Sequence, residues 1–223
     1  MLKLSLLMKR IILIFLISII LSSCSVFENF RLNNNDDIPS GTVLFNDSFD
    51  NVESGWRTWI NDGSFVIYQA EGLRFYLDQP NVDFWSSPGL KFDDTRVEIE
   101  AIKIDGPDNN LLGLICRMQD EKNFYAFVIS SDGYGGIYKV LEGEYVLLNG
   151  HTLEFSPSIY KGNAINYLSA TCDGNELRLD TNGEHLFTVN DDQFTSGDIG
   201  LIVGSFEDPG VNIYFDNITV FQP

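Results

Sequence analysis

Positive charge is scarce in this chain. Fourteen Lys and Arg stand against 32 Asp and Glu, a formal net charge of −18. Phosphate backbones require a basic footprint, so nucleic acid is excluded as a partner. Three cysteines and two histidines cannot build a structural zinc cluster of the CxxC…CxxC kind. Proline is sparse, 7 residues beside 19 glycines, which excludes collagen-like and proline-rich disordered chains. Residues 43–223 show no helical period of ten residues or more, which argues against a helical bundle. The one long apolar run, Ile11 to Leu21 broken by Ser18, would span about 16 Å as helix, short of a bilayer core of ~30 Å. What remains is globular: 223 residues, 44% hydrophobic and 13% aromatic, enough for one core of ordinary size.

The first 23 residues read as an export signal. Lys3, Lys9 and Arg10 precede the apolar run, and small residues follow it. Leu21-Ser22-Ser23-Cys24 resembles a bacterial lipobox. That resemblance implies cleavage before Cys24 and acylation of its thiol, and two or three acyl chains on one Cys anchor firmly to a membrane. The other reading is an ordinary signal peptide with a chance Cys. Residues 1–23 hold three basic residues and no acidic ones, so a chain starting at Cys24 carries 11 positive and 32 negative charges, net −21. Residues 24–42 form a polar, turn-rich tether containing Asn33-Asn34-Asn35-Asp36-Asp37 and Pro39-Ser40-Gly41. The expected location is outside the cytoplasm, moored to a membrane.

From Val43 onward, period-two alternation recurs. Val97, Ile99 and Ala101 face one way, and Arg96, Glu98 and Glu100 the other. Leu177 and Leu179 alternate with Glu176, Arg178 and Asp180, and Asn182-Gly183 then supplies a two-residue hairpin turn before Leu186, Phe187 and Val189. Further strands are expected at 64–69, 72–77, 82–87, 111–118, 123–130, 135–140, 143–148, 165–172, 198–205 and 211–221. In the last of these the apolar parity changes between Phe215 and Ile218, which predicts a β-bulge near Asp216-Asn217 that re-aims the Asp216 carboxylate. Many short strands without helices predict an all-β fold, two antiparallel sheets packed as a sandwich over 43–223. Cys116 and Cys172 both lie on the apolar side of their strands. Outside the cytoplasm they read as a disulfide or, alternatively, as two buried thiols.

A family pattern runs through these strands. It comprises Gly113-Leu-Ile-Cys-Arg117, Asn123-Phe-Tyr-Ala-Phe127, Ser131-Asp-Gly133, Asn166-Tyr-Leu-Ser-Ala-Thr-Cys172, Leu177-Arg-Leu-Asp-Thr-Asn-Gly183, Gly197-Asp-Ile-Gly-Leu201 and Phe215-Asp-Asn-Ile-Thr-Val220. This resembles concanavalin A-like lectin/glucanase jelly rolls, especially their laminin G-like and 3-keto-disaccharide hydrolase (DUF1080) branches. The resemblance covers about Val43 to Phe221. It implies one convex and one concave sheet, with carbohydrate bound or cleaved on the concave face or its rim. Fold alone does not choose between those two activities.

Glycosidase chemistry needs two facing carboxylates. Glucanases of this superfamily carry Glu-x-Asp-x-(x)-Glu on one strand, and the nearest match is Glu98-Ile-Glu100-Ala-Ile-Lys103-Ile-Asp105. Lys103 stands where an acid is wanted, so Glu98 and Glu100 read either as a degenerate catalytic pair or as a solvated charged strip beside Arg96. His151 and His185 lie in no nucleophile–base context. Sugar binding asks for an aromatic face and a few planar polar groups. Trp85, Arg117, Tyr125 and Tyr134 are the candidates, with core packing and surface ion pairing as the competing roles. Arg117 is expected on a solvated face because it is opposite in parity to Cys116. Trp56 and Trp59 read as packing residues. The superfamily resemblance further implies a structural Ca²⁺ between the first and last strands, for which Asp47, Asp50 and Asp216 are the matching acids, unless they are simply solvated. The resulting expectation is a surface-anchored lipoprotein whose jelly roll binds a carbohydrate or glycan without catalysis. The alternatives are a hydrolase of the 3-keto-disaccharide kind and an envelope adhesion scaffold.

Overall fold

The computed structural model describes residues 38–223, so the expected export signal, Cys24 and most of the expected tether lie outside the described residues. The last tether residues are tied to the domain: Gly41 N–H donates to the Gln222 carbonyl at 2.8 Å, and Gln222 N–H donates to the Thr42 carbonyl at 2.8 Å.

The described residues contain sixteen strands. They are β1 Val43–Asp47, β2 Trp59–Asn61, β3 Ser64–Tyr68, β4 Leu73–Leu77, β5 Val82–Ser86, β6 Thr95–Asp105, β7 Asn110–Asp120 and β8 Asn123–Ile129. There follow β9 Tyr134–Leu141, β10 Glu144–Leu147, β11 Glu154–Phe155, β12 Ile165–Asp173, β13 Glu176–Thr181, β14 Glu184–Asn190, β15 Asp198–Ser205 and β16 Val211–Phe221. A nine-strand sheet runs β14-β13-β12-β6-β16-β4-β3-β2, with β1 also on β16. A seven-strand sheet runs β10-β9-β8-β7-β15-β5, with β11 also on β9. All pairings are antiparallel. This is the two-sheet antiparallel sandwich that alternation predicted, in the jelly-roll form that the family resemblance implied. The strands it left unassigned, β1, β2 and β11, are at most five residues long, too short to show a period.

The main core fills the space between the sheets. Val97, Ile99 and Ala101 point inward at 3% exposure or less and meet Leu112, Leu114 and Phe127 of the opposite sheet. The turn at Asn182 and Gly183 has φ of 52° and 82°, the left-handed pair that a two-residue hairpin demands. The expected bulge is present in β16. Asp216 pairs with Glu100 and Thr219 with Glu98, so three steps on one strand face two on the other, and Asn217 takes φ 55°.

Cys116 of β7 and Cys172 of β12 are joined by a disulfide across the two sheets, with Cα atoms 6.8 Å apart and 56 residues between them in sequence. Closing a loop of that length is worth about 4 kcal/mol in the chain-entropy account. Replacing both cysteines by alanine should lower unfolding free energy by roughly that amount in urea titration. Alkylation with and without prior reduction should give masses differing by two adducts; equal masses would contradict the bond.

Candidate functional site

The seven-strand sheet is curled, and the curl builds the site. Its edge strands are β10 and β5. Five strand intervals of ~4.8 Å would hold those edges ~24 Å apart in a flat sheet. Instead Tyr145 of β10 and Asp83 of β5 come together at the wall of one cavity, close enough for each to shift the other's titration. The outer face of this sheet is therefore concave. Ile115, Phe124, Ala126, Val128, Val140 and Ile202 fill its hollow at 1% exposure or less, a second apolar cluster separate from the core between the sheets.

Trp85 lies at the mouth of this hollow. It is half-buried, its ring 6.1 Å from that of Phe124. A cavity of about 330 Å³ runs between it and the far edge, lined by Asp83, Glu121, Lys122, Val140 and Tyr145. A second cavity of about 410 Å³ shares Asp83, Trp85 and Glu121 and reaches Arg57, Trp59, Asn61 and Gln79. This second cavity opens where β2 and β5, the free edges of the two sheets, come together. Trp59 forms its aromatic wall, edge-on to Phe84 with centroids 4.4 Å apart. Arg57 and Glu121 pair across the rim at 2.5 Å. Both are mostly exposed, so the pair contributes little stability.

Asp83 is the unusual group. Burial pushes its carboxyl above the ordinary range, and the nearby Tyr145 phenol only partly offsets this. Among the described residues no cationic side chain is paired with it. Gly204 sits opposite Asp83 in the ladder, and a Cβ there would collide with the Asp83 Oδ1. The glycine thus makes room for the carboxylate. Burial and the negative charge of Asp83 also raise the phenols of Tyr138 and Tyr145.

The sequence candidates scatter. Trp85 is in the site. Arg117 is not: it is 2% exposed, not solvated as parity suggested. A bulge between Cys116 and Asp120 breaks the register, and Arg117 adopts φ 53°. Its guanidinium donates to the Gly174 carbonyl at 2.8 Å, the Phe194 carbonyl at 3.0 Å and Asp94 Oδ1 at 2.6 Å. Tyr125 is also buried. Its phenol donates to Asp191 Oδ1 at 2.5 Å and accepts from Phe194 N–H at 3.1 Å. Both residues pin the segment 191–197 to the seven-strand sheet, so neither offers a polar group to a sugar. Tyr134 is 40% exposed and packs edge-on to Phe155 at 5.7 Å. It is four residues along β9 from Tyr138, about 13 Å, and outside both cavities.

Glu98 and Glu100 line a different feature, a groove on the outer face of the nine-strand sheet. Glu98 is paired with Arg96 at 3.0 Å, and Glu100 accepts from Asn217 Nδ2 at 3.3 Å. The acids matched to calcium are not brought together. Asp47 points into the core, where its two oxygens accept from Phe49 N–H at 2.8 Å and Trp56 Nε1 at 3.0 Å. Asp216 lies beside Glu100 on the outer face of the same sheet, and Asp50 is exposed. Among the described residues no group of three or more His, Cys, Asp or Glu is placed to hold a metal ion. These residues do not fit a calcium site.

No protein-family model matches the chain, and no curated protein sequence matches it. Solved structures do. The chain is similar to the carbohydrate-binding module CBM66 from Bacillus subtilis, with TM-score 0.62, 18% identity, and coverage of 75% of this chain and 95% of that one. It is similar to a Bacillus subtilis protein of unknown function with a galectin-like fold, with TM-score 0.59, 16% identity, and coverage of 82% and 97%. It is also similar to the catalytic domain of an endo-1,3-β-glucanase (laminarinase) from Thermotoga petrophila RKU-1, with TM-score 0.57, 10% identity, and coverage of 83% and 99%. The chain shares the two-sheet jelly-roll fold of these structures.

Asp83 gives a pH test with a definite sign. Its folded pKa is raised, so ionisation costs stability above that pKa, and the cost vanishes as pH falls toward the unfolded value. Asp83→Asn should raise the melting temperature at pH 7, and the gain should shrink as pH is lowered through 5 to 4. A destabilised variant at pH 7 would contradict the assignment.

Proposed function

We propose that this chain is a lipid-anchored saccharide-binding protein that holds sugar at the mouth of the curled sheet, without cleaving it. The carrying observation is the half-buried Trp85 face set beside the half-buried Asp83 carboxylate, which has no cationic partner among the described residues. A pyranose ring presents C–H groups on one face and hydroxyls at its edge. The indole takes the first, and Asp83 accepts from the second. Trp59, Asn61, Gln79 and the Tyr145 phenol supply a second wall and further hydrogen bonds. Cavities of 330 and 410 Å³ are at the lower end of the ~300–1,000 Å³ of small-ligand sites, suited to one or two sugar units.

Binding rather than hydrolysis is favoured by the carboxylates. Glycosidases need two facing acids. Among the described residues lining these two cavities, Glu121 is the one acid besides Asp83, and it pairs with Arg57. The jelly-roll neighbours include, by their own names, a carbohydrate-binding module and a laminarinase, which makes a sugar the natural first ligand to test. The lipobox-like Leu21-Ser22-Ser23-Cys24 supports anchoring at Cys24, which would present the domain outside the cytoplasm at a membrane surface.

Calorimetric titration of the protein with a panel of neutral oligosaccharides tests this. At least one should bind with unchanged glycosidic linkages. Trp85→Ala should weaken it by roughly tenfold, the ~1.4 kcal/mol of one stacking contact, and Asp83→Asn should weaken it while raising stability. Release of reducing ends, or affinity indifferent to Trp85, would contradict the proposal.

A further inference from the structure

A further groove lies on the opposite face. It measures about 720 Å³ and follows β12 across the nine-strand sheet. Register defines its layout. Thr171 lies between Arg178 and Arg96, Ser169 lies between Asp180 and Glu98, and Tyr167 lies beside Glu100. The floor therefore carries small hydroxyl side chains, and each wall carries one guanidinium and two carboxylates: Arg178 with Glu176 and Asp180, and Arg96 with Glu98 and Glu100. The walls are set before any ligand arrives. Arg178 forks onto Asp180 with contacts of 2.7–3.0 Å, His185 Nδ1 lies 3.2 Å from Asp180, and Arg96 lies 3.0 Å from Glu98. The Arg96 guanidinium is further held over the Phe221 ring at 4.6 Å. Tyr167 stands 53% exposed at one end.

We infer that this groove is a second saccharide-binding surface, independent of the Trp85 site, which takes a neutral, unbranched sugar chain lengthwise along β12. A guanidinium beside a carboxylate offers donors and acceptors at the spacing of a vicinal diol. The hydroxyls of Ser169 and Thr171 continue that array along the floor, and the Tyr167 ring provides a stacking face. A protein partner would ask for a centre depleted of charge, whereas charged side chains line both walls of this groove. Both guanidinium groups are already neutralised by their own carboxylates. Glu100 bonds a neutral amide, and beside it Asp216 has its carboxyl raised by burial and by the negative charges of Glu100 and Glu71. Acidic sugars would meet repulsion there.

Amide NMR on the ¹⁵N-labelled full chain in detergent tests the inference. The probes are three neutral hexasaccharides, a β-1,3-glucan, a β-1,4-glucan and an α-1,6-glucan, with hexagalacturonate as the acidic comparison. At least one neutral probe should shift the Tyr167, Ser169, Thr171 and Glu98 amides saturably, and hexagalacturonate should not. Tyr167→Ala should weaken that set by roughly tenfold and leave the Asp83 and Trp85 amides responding as before. Ser169→Trp should block the floor with the same selectivity. Shifts on β12 that persist when Asp83 and Trp85 never respond would defeat the first site and uphold this one. No β12 response to any neutral probe, or an equal response to hexagalacturonate, overturns it.

Discussion

The curl of the seven-strand sheet is the constraint from which the rest follows. Its strands are apolar on both faces: every residue of β7 from Asn110 to Met118 is buried, and so is every residue of β8 from Phe124 to Ile129. An open sheet packed on one side would leave half of those side chains in water, at roughly 25 cal/mol for each Å² exposed. Curling folds the second face onto itself and dries it. The same motion brings Tyr145 from one edge to Asp83 at the other. A carboxylate drawn to the edge of an apolar hollow is strongly desolvated, and that makes it a sharp acceptor for a ligand hydroxyl. Shape, dryness and the polar contact of the site thus share one cause.

Two polar clasps tie the seven-strand sheet to the segments that lead into it. Arg117 ties the bulge of β7 to the β12–β13 turn and to the segment 191–197. Tyr125 and Lys139 both reach Asp191. Burial alone would raise the Asp191 carboxyl, but hydrogen bonds from Lys139 and Tyr125 outweigh it and hold the group below the ordinary range. With the disulfide between β7 and β12, these links fix one sheet relative to the other near the end where the chain passes between them.

Much of this was legible from residues alone, and the failures have a common origin. Alternation was informative where one face is wet. Arg96, Glu98 and Glu100 against Val97, Ile99 and Ala101 placed β6 correctly, and the parity change before Ile218 located the bulge. Along β7 and β8 both faces are dry, so a period of two says nothing about which side a residue faces. Arg117 was misplaced for that reason, Tyr125 took the core role that had been left open beside sugar binding, and the register shift after Cys116 has no separate signature. Trp59 was read as packing, and it does pack against the core and Phe84, while its place on the cavity wall had no signal in a three-residue strand. The clue that was available and missed is Val82-Asp83-Phe84-Trp85, a lone acid inside an aromatic strand.

The account is tested most directly by a co-crystal structure with a neutral oligosaccharide identified by titration. It predicts a sugar ring stacked on Trp85 with a hydroxyl donating to the Asp83 carboxylate, and the Tyr145 contact opened or shared. A hollow left closed, with sugar bound away from Trp85 and Asp83, would contradict it.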